Sequence, residues 1–490
     1  MSRFSVYLKE LLDQRGEPIA RVAKNAGIER TSIHKALKDE RMMSYTALKK
    51  LTSYLQLTLS QVWELNQYYE MLLQGEDIYR LQEAICDLLG ELSLLHFSDH
   101  HRTGLLRSRP DLSGLPRLIS GRSQAEAAIQ SVFQWEVTAG GGGEIDLYLP
   151  ARSDLLDRLS GLWEQGACFD VRQLVTFYPN HSGKGTHIDN IGLLRHILPA
   201  SFISGGQYKA YYYFENGSGT VHIDPLPYFI ITPHVLIQMD PKLSVVRFQT
   251  DTELIDLYKR RFSAILTECQ ALNTYSGDPE RILEDYMRST DEKGYYTLMT
   301  QPCLGHYYTR ERILKQIRKD IPEWEKLAEL GDRRFARLRE LQYNYYTIFL
   351  EGGLRQLARD GAMADLPRDF VEPFDVKSRL MMFKELREDI ASDVIRGCIA
   401  DPEKLPVPPY LTFTSDPRWG VHIYAAQSYT GGPYACNLHI GESSIGQTFC
   451  EFIRSLPNSK FVYPKERTLD ILDELIGELT YTLQKEGTHV

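Results

Sequence analysis

Along the first 75 residues, apolar positions recur every three or four places in five short runs: Leu8/Leu11/Leu12, Ile19/Val22/Ala23/Ala26, Ile28/Ile33/Leu37, Leu48/Leu51/Leu55 and Val62/Leu65. Each run makes one stripe on a helix, so the pattern predicts five helices with very little loop across 5–73. Gly16 and Gly27 close the first two, because glycine tolerates the left-handed residue that ends many helices. Pro18 falls in the first turn of the second, where its missing N–H costs nothing. Ser44 caps the fourth helix, and Thr58 or Ser60 the fifth. The link Gly27-Ile28-Glu29 is so short that the third helix, 30–38, must cross the second steeply. That leaves Arg30, Thr31, His34, Lys35 and Lys38 outside.

Residues 77–92 carry a heptad-like seam of Ile78, Leu81, Ile85, Leu88 and Leu92. The seam either pairs two chains or packs on the chain's own next domain. Two turns of heptad are too few to pair unaided, which makes the second reading the simpler one. Residues 98–123 are rich in Arg, Ser, Gly and Pro and mark a boundary and hinge. From Gln124 onward, apolar strand-like runs alternate with helices. Strands are predicted at 145–149, 171–178, 209–214, 228–232, 235–239 and 245–248, followed by a long helix over 253–272. A mainly helical stretch over 310–396 comes next, then strands at 410–414, 420–426 and 436–440, with helices at 445–455 and 468–479. Strand pairs followed by a long helix thus occur twice, around 228–272 and 420–455, each after a Val-His-Ile beginning at Val221 or Val421. That similarity is too faint to define a repeat. The fold class expected is multidomain, an all-α five-helix domain (1–75) and a connector with hinge (76–123), then a large α/β (α+β) sensor-like body (124–275 and 276–490).

The 490 residues are 43% hydrophobic and 25% charged, which excludes whole-chain disorder. No apolar run approaches the roughly 18 residues of a membrane span, and charges interrupt the first ten residues where a signal peptide needs an apolar core. Seven cysteines, none closer to another than Cys436 and Cys450, form no Cys-x-x-Cys clamp. A cytoplasmic protein without metal or cofactor is the expectation. The net charge of -9 argues against a nucleic-acid partner until it is divided along the chain. Residues 1–60 hold 11 Lys and Arg against 6 Asp and Glu, whereas the remainder holds 45 against 59. A small basic module before a large acidic body is the layout of a DNA reader with an appended sensor.

At Ala23-Lys-Asn-Ala-Gly-Ile-Glu-Arg-Thr-Ser-Ile-His-Lys-Ala-Leu-Lys38, with Arg41 and the Leu48/Leu51/Leu55 helix behind it, the chain resembles the phage-repressor-like (Xre) family of helix-turn-helix regulators. The resemblance covers about the first 70 residues and implies that helix 30–38 enters the DNA major groove. It implies base contacts from Arg30, Thr31 and Lys35 and phosphate contacts from Lys24, Lys38 and Arg41. Two features depart from the family pattern: Pro18-Ile19 opens the second helix, and the acids Asp39-Glu40 follow the third, beside the implied phosphates. The partners implied are double-stranded DNA and a second copy of the chain, plus a small-molecule or protein effector, as in a bacterial-type transcription regulator.

The body resembles no family and must be read from its residues. His181-Ser-Gly-Lys-Gly-Thr-His187 follows a strand and opens a helix, so His181, Lys184, Thr186 and His187 form a candidate anion or effector loop, against the plainer reading of a loop capped by Thr186. The Gly140–Gly143 run lies between a helix and a strand and reads as loop. His96, His100 and His101 with Asp99 read as solvated rather than as metal ligands. Asp375-Val-Lys377 with Asp369 has the form of a nuclease acid-x-Lys element, yet it reads better as a helix cap. The tyrosines 211–213, Phe214, Tyr228, Phe229, Tyr295, Tyr296, Tyr307 and Tyr308 are read as half-buried strand residues before a ligand pocket. No enzyme motif is present. A sequence-specific transcription regulator is therefore expected. A protein-interaction scaffold is the alternative, and a DNA-acting nuclease stands third.

Overall fold

The structure, a computed structural model, describes residues 1–94, 114–139, 143–150, 154–177, 188–215, 224–278, 281, 294–341, 344–364, 370–425 and 436–487. The chain divides into two compact units, Met1–Glu83 and Ala84–Val490. The first is all helical. It contains α1 (Arg3–Arg15), α2 (Ile19–Ala26), α3 (Arg30–Leu37), α4 (Tyr45–Leu55), α5 (Leu59–Gln74) and the start of α6 (Glu76–Leu94). The caps fall where the sequence places them. Gly16 and Gly27 are left-handed, the Ser44 hydroxyl accepts from the Ala47 amide, and Thr58 and Gln61 form a reciprocal capping box. Leu8, Val22, Ile33, Leu48, Leu51 and Leu65 are fully buried in one core, against which Ile28 and Leu37 pack.

The second unit is a mixed α+β body built on two sheets. The first half comprises β1 (Leu118–Ser120), α7 (Arg122–Ala139), β2 (Glu144–Tyr148), α8 (Leu155–Glu164), β3 (Asp170–Phe177), α9 (Ile188–Ile203), β4 (Tyr208–Phe214), β5 (Tyr228–Ile231), β6 (Leu236–Met239), β7 (Val245–Gln249) and α10 (Thr252–Glu268). Two short strands follow, β8 (Gln270–Ala271) and β9 (Asn273–Ser276). The second half comprises β10 (Tyr295–Met299), α11 (Arg310–Gln316), α12 (Trp324–Glu340), β11 (Tyr345–Phe349), α13 (Glu351–Asp360), α14 (Val376–Ala391), β12 (Ile395–Ile399), β13 (Leu411–Asp416), β14 (Gly420–Ala425), β15 (Cys436–Ile440), α15 (Ser443–Ser455) and α16 (Lys465–Gly487).

The two halves share one topology. The first sheet contains the order β4-β3-β2-β5-β6-β7, and the second β12-β11-β10-β13-β14-β15. In each, three parallel strands are followed by an antiparallel meander that begins beside the first of them, and a helix closes the unit. The body is thus an internal repeat of strand order. It is not the repeat hinted at by the two Val-His-Ile runs. Val421–Ile423 lies in β14, whose counterpart is β6, whereas 221–223 falls outside the described residues.

Two sequence expectations are corrected here. The helix predicted over 253–272 ends at Glu268, because Gln270–Ser276 is extended and joins the sheets. Gln270 and Ala271 pair with β4, while Asn273 to Ser276 pair with β15. Asn273 fastens this stretch, accepting from the Ala210 amide (2.7 Å) and donating to the Ser201 hydroxyl (2.9 Å). The stretch 310–396 is not simply helical. It contains β11 and reaches β12, which with β10 form the parallel core of the second sheet.

Candidate nucleic-acid interface

In the first unit, the turn from α2 to α3 is made by Gly27 (φ 66°) and closed by the Ile28 amide donating to the Ala23 carbonyl at 2.9 Å. A side chain at this φ is strained, which is why glycine suits it. Behind the turn, Ile33 and Ala36 anchor the eight-residue α3 in the core. The opposite face is open: Arg30, Thr31, Lys35 and Lys38 are exposed, as are Lys24 on α2 and Arg41 beyond α3. Arg30 Nε donates to His34 Nε2 at 3.2 Å, one turn along, and the Thr31 hydroxyl lies 3.5 Å from Glu29 Oε2. His34 is only half exposed, its ring serving Arg30 rather than standing free.

The two acids after α3 separate in role. Asp39 turns inward, accepting from the Ser2 amide and hydroxyl, both at 2.6 Å, and from the Ser5 hydroxyl at 3.1 Å. Partial burial works against its charge, but these donors outweigh it and hold the carboxyl below its ordinary range. Asp39 therefore ties the end of α3 to the start of α1. It adopts a left-handed backbone (φ 56°), which Asp tolerates better than most residues. Glu40 stays outside, 3.9 Å from the Lys38 ammonium, and offsets part of that charge. At the start of α2, Glu17 accepts from the Tyr54 hydroxyl (2.8 Å), which accepts in turn from the Asn25 amide (2.9 Å). This network braces α2 against α4.

The other candidates fare differently. His181, Lys184, Thr186 and His187 lie outside the described residues, as do His96, Asp99, His100, His101 and Asp369. The connector seam is consumed within the chain, for Leu81, Ile85, Leu88 and Leu92 are fully buried. In the second unit, α6 is held further by Asp87 and Glu91 against Arg195 and by the Ser93 hydroxyl donating to the Pro406 carbonyl. Asp375 caps α14, accepting from the Ser378 amide at 2.6 Å, and pairs with Lys315. Burial raises its pKa, but those partners bring it down to about 2. The aromatic run is not one cluster. Tyr211, Tyr212, Tyr213, Phe214, Tyr228 and Phe229 belong to the first sheet, while Tyr295 and Tyr296 belong to the second, with Tyr307 and Tyr308 in its core.

Sequence reasoning missed two polar centres in the body. Glu136 on α7 is buried and binds the His234 amide (3.0 Å), His234 Nδ1 (2.9 Å) and the Thr232 hydroxyl, pinning the β5–β6 turn. In the second sheet His422 and His439 stack with ring centroids 4.2 Å apart. The alternation of polar and apolar residues along 411–440 carried a signal for the second centre. Nothing local carried one for the first.

No protein-family model matches the chain, and no curated protein matches it. Among solved structures, the chain is similar to TrmBL2, an archaeal chromatin protein whose structure is described as showing a novel mode of DNA binding. The identity is 12% over 45% of this chain and 70% of that one, with a TM-score of 0.23. No helix among the described residues is long and apolar enough to cross a membrane.

Proposed function

We propose that the chain is a sequence-specific DNA-binding transcription regulator of the phage-repressor-like type, with α3 in the major groove and the second unit sensing a ligand or partner. The observation that carries this reading is the open face of α3, where Arg30, Thr31 and Lys35 stand exposed on a helix anchored through Ile33. Arg30 suits guanine O6 and N7 through two hydrogen bonds, and the Thr31 methyl suits thymine. Lys24, Lys38 and Arg41 flank that face and meet phosphates, which fix register without reading sequence. Two copies would read two half-sites, and an effector acts only by preferring one arrangement of the readers.

A gel-shift titration with selected DNA tests the reading. Replacing Arg30 and Lys35 together by Ala lowers sequence-selective affinity by about 1–3 kcal/mol per lost base contact. Lys24→Ala weakens all sequences alike and reduces the salt slope by about one. Absence of sequence-selective binding by the wild-type chain overturns the proposal. A second reading, a protein-docking module, is favoured by Leu59 (91% exposed) and Trp63 (64%), one turn apart on α5. Partner binding through that patch, insensitive to salt, is its mark.

A further inference from the structure

On the open face of α3 the guanidinium of Arg30 is already engaged, by the ring of His34 one turn along the same helix. We propose that His34 is a positioning residue for sequence readout, which orients Arg30 towards one base pair while leaving its charge intact. The inference rests on the DNA reading above and names the residue on which its selectivity depends.

Arg30 is the first residue of α3 and is exposed. Arginine is among the side chains that lose most rotamer freedom when fixed, so a reader that orders it only on binding gives up affinity. Here the Nε–H donates to His34 Nε2 at 3.2 Å, the only hydrogen bond of this guanidinium among the described residues. The spacing of four residues brings the two side chains together, and the burial of Ile33 and Ala36 holds the backbone between them. His34 is itself half-buried. A guanidinium can meet the O6 and N7 of guanine either with its two terminal nitrogens or side-on, with Nε and one of them. With Nε given to His34, the terminal pair remains, and it points the fork end-on.

The chemistry of the partner matters as much as its place. An imidazole that accepts through Nε2 carries its hydrogen on Nδ1 and no charge. A carboxylate at the same position would hold Arg30 at least as firmly, but it would neutralise the guanidinium and set a negative charge against the phosphates. The acid next to Arg30 does not take that part. Glu29 Oε2 lies 3.5 Å from the Thr31 hydroxyl, and Arg30 makes no ion pair among the described residues. His34 thus supplies orientation without neutralisation, which a base-reading cation needs and a merely structural one does not.

Gel-shift titrations of the full chain test the proposal, on selected DNA and on the same site with the base pair read by Arg30 replaced. That pair is the one whose replacement ceases to matter in Arg30→Ala. His34→Ala is expected to lower the ratio of the two affinities by about fivefold while affinity for unrelated DNA is kept. His34→Gln, whose side-chain oxygen can accept from Nε, should restore most of the ratio, and His34→Ala should add nothing in the Arg30→Ala background. His34→Glu should weaken binding to selected and unrelated DNA alike. A ratio unchanged by His34→Ala, or an equal effect with and without Arg30, overturns the inference and leaves the DNA reading intact. Without DNA, the Arg30 Nε–H resonance of the arginine-labelled full chain, identified by its loss in Arg30→Ala, should shift in His34→Ala. A resonance that stays in place overturns the inference whatever the chain binds. A resonance that shifts in a chain with no selective binding shows the contact but removes the DNA reading, and the readout role with it.

Discussion

The two halves of the second unit follow the same strand order but fill it with different chemistry. On the face turned away from α10, the first meander presents Ile230, Ile237, Met239, Val246 and Phe248, all buried. The helix α7 packs against β7 and β1 there. On the corresponding face of the second meander, away from α15, stand Thr412, Thr414, His422, Tyr424, Asn437 and His439. The face that does carry α15 stays apolar, with Phe413 stacked on Phe449. Strand order is thus specified by one apolar face and the parallel core, which leaves the second face free to be either sealed or polar. A strand pattern can be kept while the residues that do chemistry are exchanged wholesale.

The largest effect expected from breaking this contrast comes from Ile237→His. It places an imidazole between the buried Ile230 and Phe248 and should cost about 3–4 kcal/mol in urea unfolding. A cost below about 1 kcal/mol would show that the first face is not sealed. Next is the acid response of His422. Burial first, then the neighbouring His439 and Arg334, pushes its pKa down to about 3. The unfolded chain takes up this proton near pH 6.5 and the folded chain does not. Stability is therefore complete above about pH 6.5 and declines as pH falls towards 3, by about 2 kcal/mol at pH 5. His422→Phe should remove that decline between pH 7 and 5, and an identical decline in both proteins would refute the assignment. The smallest effect concerns Thr347, whose hydroxyl accepts from the Cys303 amide at 3.0 Å. Thr347→Val keeps the shape but strands a buried N–H, at about 1–2 kcal/mol by thermal unfolding. A neutral result would mean that the amide finds another acceptor.

How much of this was legible in the sequence depends on how local the cause is. The helices of the first unit could be read because periodicity, glycine stops and Ser or Thr caps all act within a few residues. The exposure of Arg30, Thr31 and Lys35 followed from the same periodicity. Asp39 could not be read as a tether, because its partners Ser2 and Ser5 lie in another helix. In the body, Tyr295–Met299 and Tyr345–Phe349 are five-residue runs buried on both faces. They show no alternation and sit among charged helical segments. With β10 and β11 unseen, the parallel core of the second half was hidden, and the repeat with it. The overrun of the helix at 269–272 has a similar origin, since Cys269-Gln-Ala-Leu272 continues an apolar pattern that suits helix and strand alike.

The stretch Gln270–Ser276 also constrains the order in which the protein can be finished during synthesis. Its first residues find β4 already made, whereas β9 waits for β15, which is translated close to the end of the chain. Until then β9 is a nascent edge with free backbone donors and acceptors, open to any extended segment that reaches it first. A ribosome stalled between β10 and β14 would thus hold a first half that is complete except for one unsatisfied border.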